Sequence, residues 1–171
     1  MSAAGTDWKT PPWLLELVRK VGPIGLDPAT DDSNPTEAKL FCTPAGLYCR
    51  EVSGQTLKKS DEDGLTASWS YDELVYVNPP YSRDESPRWA AKLSAEARAG
   101  VEIIALLPAR VDTVWFHEHV FTQAQALCFL KGRPRFSGSD GAGKFPSVVA
   151  YYGDRARAFK RAFEAKGWCV S

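Results

Sequence analysis

The most restrictive feature of the sequence is a short apolar run that ends at two consecutive prolines. Residues 74–77 read Leu-Val-Tyr-Val, and Asn78-Pro79-Pro80-Tyr81 follows directly. A run rich in Val and Tyr and bounded by proline is typical of a buried strand. Because proline has no backbone N–H to give to a sheet, the strand has to end here. We therefore expect the side chains of residues 78–81 at the carboxyl end of a central strand, where open α/β sheets place their sites.

The motif Asn78-Pro79-Pro80-Tyr81 suits a flat ring that carries an NH2 group. The two prolines hold φ at about −65°, so the loop is stiff and the carbonyl groups of Asn78 and Pro79 can act as acceptors. The side-chain oxygen of Asn78 and a proline carbonyl can accept both hydrogens of an exocyclic amine, and Tyr81 can stack on the ring. Such acceptors favour the pyramidal, charge-developing form that an aromatic amine must adopt to be alkylated. The alternative is a sharp turn after the strand with an incidental tyrosine.

This motif resembles the catalytic motif of amino-methyltransferases that use S-adenosylmethionine. The wider sequence resembles phage-type, Dam-like DNA N6-adenine methyltransferases, and the likeness runs over most of the chain. It rests on residues 7–12 (Asp-Trp-Lys-Thr-Pro-Pro), residues 26–29 (Leu-Asp-Pro-Ala), Gly64-Leu65 and Trp69. The resemblance implies that S-adenosylmethionine is the cofactor and that the N6 amine of an adenine flipped out of DNA is the acceptor. It implies four catalytic residues: Asn78, Pro79, Pro80 and Tyr81.

The resemblance also assigns the cofactor to two short segments. Trp8, Thr10 and Pro11 are similar to the N-terminal residues that border the methionine end of the cofactor in amino-methyltransferases. Asp27 follows a minimal first strand, where it can take the cofactor's ammonium group directly or through a water molecule. The expected cofactor-binding residues are Trp8, Thr10, Pro11, Asp27, Pro28 and Ala29. The alternatives are a helix-capping Thr10 with a core tryptophan, and a plain surface loop around Asp27.

The turn after Asp27 differs from the Gly-x-Gly turn of many amino-methyltransferases. Residues 30–35 read Thr-Asp-Asp-Ser-Asn-Pro. Asp, Asn and Ser side chains can build a tight loop by bonding to nearby backbone groups, so we expect a turn built with different chemistry.

The order of the remaining segments predicts the fold class. A helix over residues 86–100 and a second buried strand over residues 101–107 complete a strand–helix–strand unit. Strands over residues 127–130 and 148–152 form a later pair. We predict an α/β protein with a three-layer, Rossmann-like methyltransferase sheet, mostly parallel with a late antiparallel hairpin. Residues 55–64 are polar and charged, which predicts a mobile surface loop.

A basic segment late in the chain predicts the contact with DNA. Lys131, Arg133 and Arg135 lead into Phe136 and a Gly- and Ser-rich stretch that ends at Lys144. Cations suit phosphate groups, and one ring can stack on a base. The alternative is a plain hairpin with a solvated basic turn. The chain carries 21 Lys and Arg residues against 21 Asp and Glu, so any DNA contact has to be local. We expect sequence specificity that is short, lax or supplied by residues 131–144.

Composition narrows the remaining classes of protein. The chain has 171 residues and 44% hydrophobic content, so we expect residues 1–171 to form a single S-adenosylmethionine-dependent methyltransferase domain. No apolar run is long enough to span a bilayer. Residues 1–7 lack an export signal and the four cysteines lack a Cys-x-x-Cys pair, so we expect a cytoplasmic protein with reduced thiols. We expect no metal, because His117 and His119 point to different helix faces and no third ligand is evident.

Some alternatives remain open at the level of sequence. Enzymes that methylate RNA bases or a glutamine side chain share the Asn-Pro-Pro-Tyr motif, and a nucleic-acid-binding relic that has lost its cofactor would also retain it. Arg110 and Asp112 follow the second central strand on the same edge as Asn78 and are further site candidates. Trp69 either packs against the strand or shapes the pocket. The sequence does not indicate an oligomeric state.

Overall fold

The centre of the molecule is one mixed β-sheet. The structure is a computed structural model that describes residues 9–70, 72–136 and 145–171. The strands in these ranges are β1 (Ile24–Asp27), β2 (Leu40–Thr43), β3 (Gly46–Arg50), β4 (Thr56–Ser60), β5 (Leu74–Val77), β6 (Ile103–Pro108), β7 (Ala126–Leu130), β8 (Ser147–Tyr152) and β9 (Gly167–Val170). These nine described strands form a single sheet in the order β4-β3-β2-β1-β5-β6-β8-β7-β9.

The prediction of a mostly parallel, Rossmann-like sheet is wrong. Among the described strands, the pairs β1–β2, β1–β5 and β5–β6 are parallel. The pairs β2–β3, β3–β4, β6–β8, β7–β8 and β7–β9 are antiparallel, so antiparallel pairing dominates. One physical reason is the length of the connections. Only Pro44 and Ala45 join β2 to β3, and a parallel pair needs a crossover of a dozen or more residues.

The parallel strands still form a continuous block at the centre of the sheet. It consists of β2, β1, β5 and β6, and every residue of β1, β5 and β6 is buried. Alternate residues of β5 and β6 face opposite sides, because successive side chains of a strand point in opposite directions. Tyr76 and Ile104 join one hydrophobic cluster, and Val77 and Ala105 join the other.

Helices cover both faces of the sheet. Among the described residues they are α1 (Pro12–Val21), α2 (Glu85–Arg98), α3 (Val114–Phe116), which continues as a π-helical turn (His117–Phe121), and α4 (Ala156–Phe163). The helices α1 and α4 pack together over the cluster that contains Tyr76, whereas α2 and α3 pack together over the other. No helix in the described part of the chain is long and apolar enough to cross a membrane.

One local prediction and one of the alternatives are also wrong. Residues 55–64 are not a loop throughout, because Thr56–Ser60 forms β4 at the edge of the sheet. Thr10 does not cap α1: Pro11 occupies the capping position, Pro12 follows it, and no side chain caps the helix. Proline tolerates these positions because its missing N–H would have no helical partner there. The hydroxyl of Thr10 is used elsewhere.

Candidate active site

A cavity of about 410 Å³ lies at the carboxyl edge of the central parallel strands. Asp27 ends β1, Thr43 ends β2 and Asn78 follows β5, and all three line the cavity. Pro28, Ala29, Pro79, Pro80 and Tyr81 line it as well. The volume falls within the range of about 300–1,000 Å³ that is usual for small-molecule and cofactor sites. Two segments that the sequence assigned separately, one to the cofactor and one to catalysis, therefore border the same space.

The side chain of Asn78 is held by a buried hydrogen-bonded chain. Its Nδ2 donates to the hydroxyl oxygen of Thr10 at 3.2 Å. That oxygen is also hydrogen-bonded to the Tyr76 hydroxyl at 2.8 Å. Thr10 is 6% exposed and Tyr76 is fully buried. The segment before α1 is thereby joined to the Asn78-Pro79-Pro80-Tyr81 motif.

Tyr81 lines the cavity and is held by contacts of both its hydroxyl and its ring. Its hydroxyl donates to the backbone carbonyl of Leu106 on β6 at 2.9 Å. The ring of Phe136 meets it edge to face, with 6.3 Å between the ring centres. Burial raises the pKa of the Tyr81 hydroxyl well above its ordinary value, so this group stays neutral. A neutral, immobilised ring is suited to stacking rather than to proton transfer.

Asp27 is a buried acid in the cavity wall. It is 3% exposed, and this burial raises the pKa of its carboxyl group to about 7. Two hydrogen bonds partly oppose the shift: the Ala29 N–H donates to Oδ1 at 3.1 Å and the Thr36 hydroxyl donates to Oδ2 at 2.9 Å. A carboxylate in so dry a position gains most from a cationic partner. Asp27 therefore fits the ammonium group of an amino acid.

The turn after Asp27 is built by side chains, as expected. Asp31 accepts hydrogen bonds from the backbone N–H of Ser33 at 2.8 Å and from the Ser33 hydroxyl. Asn34 has a positive φ of 41° and donates to the Ala38 carbonyl at 2.8 Å. Asx bonding and a left-handed asparagine shape this loop in place of a glycine-rich turn. Thr30, Asp31 and Thr36 of this loop line the cavity.

The part of the cavity wall that contacts Pro28 was only partly predicted from the sequence. Gly64 comes so close to Pro28 that a Cβ atom would lie 1.8 Å from the Pro28 carbonyl oxygen. The Trp69 indole donates to the Gly64 carbonyl at 2.8 Å, and its ring packs against Trp89 of α2. Further lining residues that sequence analysis missed are Cys42, Thr43, Asp63, Arg88 and Trp89. The Gly64-Leu65 pair was the available signal, since it belongs to the residues that carry the resemblance.

The basic segment lies beside the cavity rather than in it. Lys131, Arg133 and Arg135 are exposed and line a second cavity of about 340 Å³, together with Pro11 and Trp13. Phe136 is buried and connects this segment to Tyr81. Pro11, expected at the cofactor, thus borders the second cavity. Trp8 and Lys144 lie outside the described residues.

Arg110 and Asp112, the further site candidates, do not line the main cavity. Arg110 and Asp112 are exposed, and the Arg110 guanidinium lies 5.9 Å from the centre of the Phe145 ring. In the described ranges no group of three or more His, Cys, Asp or Glu residues could hold a metal ion. All four cysteines are free thiols.

Asn78, Pro79, Tyr81 and the buried acid Asp27 all line the main cavity. Amide and carbonyl oxygens, an aromatic ring and a carboxylate are groups that a methyltransferase acting on amino groups can use. The family model for DNA N-6-adenine-methyltransferase (Dam) matches residues 52–150. Since this is more than half of the chain, the protein belongs to the Dam family. No curated protein matches the chain.

Family membership fixes the reaction. The enzyme transfers a methyl group from S-adenosylmethionine, the methyl donor, to the N6 amine of adenine in DNA. This confirms the Dam-like resemblance and the predicted cofactor. RNA-base methylation, glutamine methylation and a non-catalytic relic are not favoured.

Proposed function

We propose that Asn78 and Pro79 bind the reacting amine and that Tyr81 holds the adenine ring. The Oδ1 atom of Asn78 and the carbonyl oxygen of Pro79 would each accept one hydrogen of the N6 amine. The observation that carries this assignment is that Asn78 follows β5 at the edge of the same cavity that Asp27 borders. Two acceptors draw electron density toward the nitrogen and favour its pyramidal form, in which the lone pair can attack.

No ionisable base is needed for the first step. S-adenosylmethionine would supply a methyl carbon bonded to sulfur, and the amine nitrogen held by Asn78 and Pro79 would attack that carbon in line, with the sulfur as the leaving group. The amine then carries one proton too many and a positive charge, which the two oxygen acceptors stabilise. Because a protonated aryl amine is strongly acidic, it can lose the proton to water.

The cofactor is proposed to lie between the two segments that border the cavity. S-adenosylmethionine supplies a methyl group on a positively charged sulfur. Asp27 would pair with its ammonium group, and Thr10, Pro28 and Ala29 would border its methionine end. Trp8 and Pro11 are assigned to the same end by resemblance. A buried carboxyl in the wall of a cavity of about 410 Å³ supports this placement.

The basic segment is proposed as the DNA contact. Lys131, Arg133 and Arg135 are exposed, and the same segment reaches Tyr81 through Phe136. Phosphate contacts there would place the duplex beside the cavity into which the target adenine is flipped. Lys144 is assigned to this surface by its position in the sequence. Site specificity would come from base contacts made by residues 131–144.

The remaining assignments follow the resemblance. Residues 1–171 are proposed to act as one S-adenosylmethionine-dependent methyltransferase domain of the phage type. The enzyme is proposed to methylate DNA in the cytoplasm at specific sites.

The central test replaces the amine acceptor. We expect Asn78→Ala to raise the activation barrier by about 2–4 kcal/mol, as for the loss of one oriented group at a developing charge. The measurement is the single-turnover rate of N6-methyladenine formation on a short duplex, with cofactor affinity determined separately by calorimetry.

A matched control removes an amide far from the cavity. Gln125 precedes β7 at the opposite edge of the sheet, and its side chain bonds to Gln123 and Gly153. Gln125→Ala should keep the wild-type rate. A wild-type single-turnover rate in Asn78→Ala would refute the proposed role of Asn78.

A further inference from the structure

The chemistry proposed for Asn78 depends on which way its amide points. The two ends of an asparagine amide have almost the same shape, but only the oxygen accepts hydrogen bonds. Rotation of the amide by half a turn would place NH2 against the NH2 of adenine, and two donors repel. An enzyme that uses asparagine at this position therefore needs a group that distinguishes the two ends.

We propose that Thr10 is a positioning residue that orients the Asn78 amide, and that Tyr76 in turn orients Thr10. This inference rests on the proposed catalytic role of Asn78. Thr10 Oγ1 accepts from Asn78 Nδ2 at 3.2 Å, so the carbonyl arm of the amide is directed away from Thr10. The chain of contacts therefore selects the orientation in which Asn78 offers its acceptor to the amine.

Tyr76 is the second residue of the proposed arrangement and orients the Thr10 hydroxyl. It is fully buried, and burial raises the pKa of its hydroxyl far above the ordinary value, so it remains a neutral donor. A buried O–H needs an acceptor, and the Thr10 oxygen lies 2.8 Å away. A hydroxyl oxygen has two lone pairs. In the proposed arrangement the Tyr76 O–H donates to one lone pair and the Asn78 N–H donates to the other, so that Thr10 acts toward Asn78 as an acceptor.

The start of α1 explains why Thr10 is available for this role. A threonine before a helix usually bonds to the exposed N–H groups of the first turn. Here Pro11 and Pro12 occupy the cap and first helical positions, and no side chain caps the helix. Since these prolines carry no N–H, fewer donors need a cap. The Thr10 hydroxyl can then face Tyr76 and Asn78.

The decisive experiment compares Thr10→Val in two backgrounds. Valine keeps the shape of threonine but removes its oxygen, whereas Thr10→Ser keeps the oxygen. Single-turnover rates are measured at pH 8 with saturating S-adenosylmethionine and DNA. With Asn78 present, we expect Thr10→Ser to stay within about threefold of wild type and Thr10→Val to be about tenfold slower or more. In an Asn78→Asp background Thr10→Val should cost at most about threefold, because either carboxylate oxygen can accept.

Equal losses in the two backgrounds would overturn the proposal, since Thr10 would then act on the cofactor or the fold. A wild-type rate in Thr10→Val would overturn it as well. If Thr10→Val has the wild-type rate and Asn78→Ala is slow, only the positioning role of Thr10 fails and the catalytic role of Asn78 stands. The two proposals can therefore fail separately. If Asn78→Asp is too slow to time, the comparison of Thr10→Ser with Thr10→Val decides.

A second measurement separates orientation from stability. Thr10→Val leaves the Tyr76 hydroxyl buried without its acceptor and should lower the midpoint of thermal unfolding. The double variant Thr10→Val/Tyr76→Phe removes both polar groups and should regain most of the lost thermal stability. The single-turnover rate of the double variant should remain low. Calorimetry measures its cofactor affinity separately. Recovery of the rate along with the midpoint would refute the positioning role.

Discussion

The charge of Asp27 depends on pH in the range where the enzyme is expected to work. Burial raises the pKa of its carboxyl group from 3.8 to about 7, against the two hydrogen bonds that it accepts. The folded protein therefore holds this proton more tightly than the unfolded chain does. The resulting contribution to stability is complete below about pH 4 and is lost as the pH rises to about 7. A cationic ligand at Asp27 reverses this preference, because it needs the ionised form.

Cofactor affinity should accordingly depend on pH. If the ammonium group of S-adenosylmethionine pairs with Asp27, the association constant of the cofactor should rise with pH up to about pH 7 and then level off. The rise should be at most about tenfold per pH unit. Asp27→Asn should bind more weakly and lose this pH dependence while keeping DNA affinity. Calorimetric titrations between pH 5.5 and pH 8.5 measure both. An unchanged pH profile in the variant would remove Asp27 from the cofactor site.

At the scale of elements, the approach of Gly64 to Pro28 fixes one wall of the cavity. We expect Gly64→Ala to push residues 63–65 away from the end of β1, because a Cβ atom would lie 1.8 Å from the Pro28 carbonyl oxygen. The cost in stability should be about 1–3 kcal/mol, with a parallel loss of cofactor affinity. Denaturant unfolding and calorimetry measure the two effects.

Gly54 provides the control for this substitution. It lies between β3 and β4, has a φ of 85°, and has no atom near its missing side chain. Gly54→Ala should lose about 1 kcal/mol of stability through backbone strain and keep its cofactor affinity. Equal cofactor affinity in Gly64→Ala and Gly54→Ala would show that the wall is not needed for binding.

The sequence predicted those elements whose side chains carry a strong pattern. The strands β5 and β6 are continuous apolar runs, which is the pattern of strands buried on both faces. By contrast β4 contains Lys58 and Lys59, is mostly exposed and pairs on one side, so backbone hydrogen bonding and not hydrophobic pattern defines it. The parallel pair β5–β6 and the antiparallel pair β7–β8 were predicted, but the predominance of antiparallel pairing was not, because it depends on the connections of β3, β4 and β9.

The same distinction holds for the active site. Asp27 and Asn78 could be located because Asp27 ends one strand and Asn78 follows another, and strand ends meet at one edge of a parallel block. The wall formed by Gly64 and Trp89 depends on how a loop and α2 pack against that edge. The hydrogen bond between Thr10 and Asn78 joins residues 68 positions apart and had no local signal.

At the scale of the whole molecule, charge balance limits how the enzyme can hold DNA. The net charge is zero, so binding has to depend on a few local cations. We expect Arg133→Ala/Arg135→Ala to reduce the slope of log K against log salt by about one to two units, since each phosphate contact contributes about 0.9. Cofactor affinity should not change. Fluorescence anisotropy on a labelled duplex at several salt concentrations measures the slope.

A second pair of cations serves as the control for that experiment. Lys58 and Lys59 lie on β4, at the opposite end of the sheet from β7 and the basic segment. Lys58→Ala/Lys59→Ala removes the same charge and should leave the slope unchanged. If the slope falls in this variant and persists in the arginine variant, DNA binds at the other end of the sheet.

The order of the central strands explains why a cavity exists at this place. The chain leaves β1 toward β2 on one side and leaves β5 toward α2 and β6 on the other. The connections after these neighbouring strands diverge, so Asp27 and Asn78 lie at a topological switch point, where the sheet edge is left uncovered. The opening thus arises from connectivity and needs no particular side chain to create it. A turn of Asp, Ser and Asn residues can therefore replace a glycine-rich one without closing the cavity.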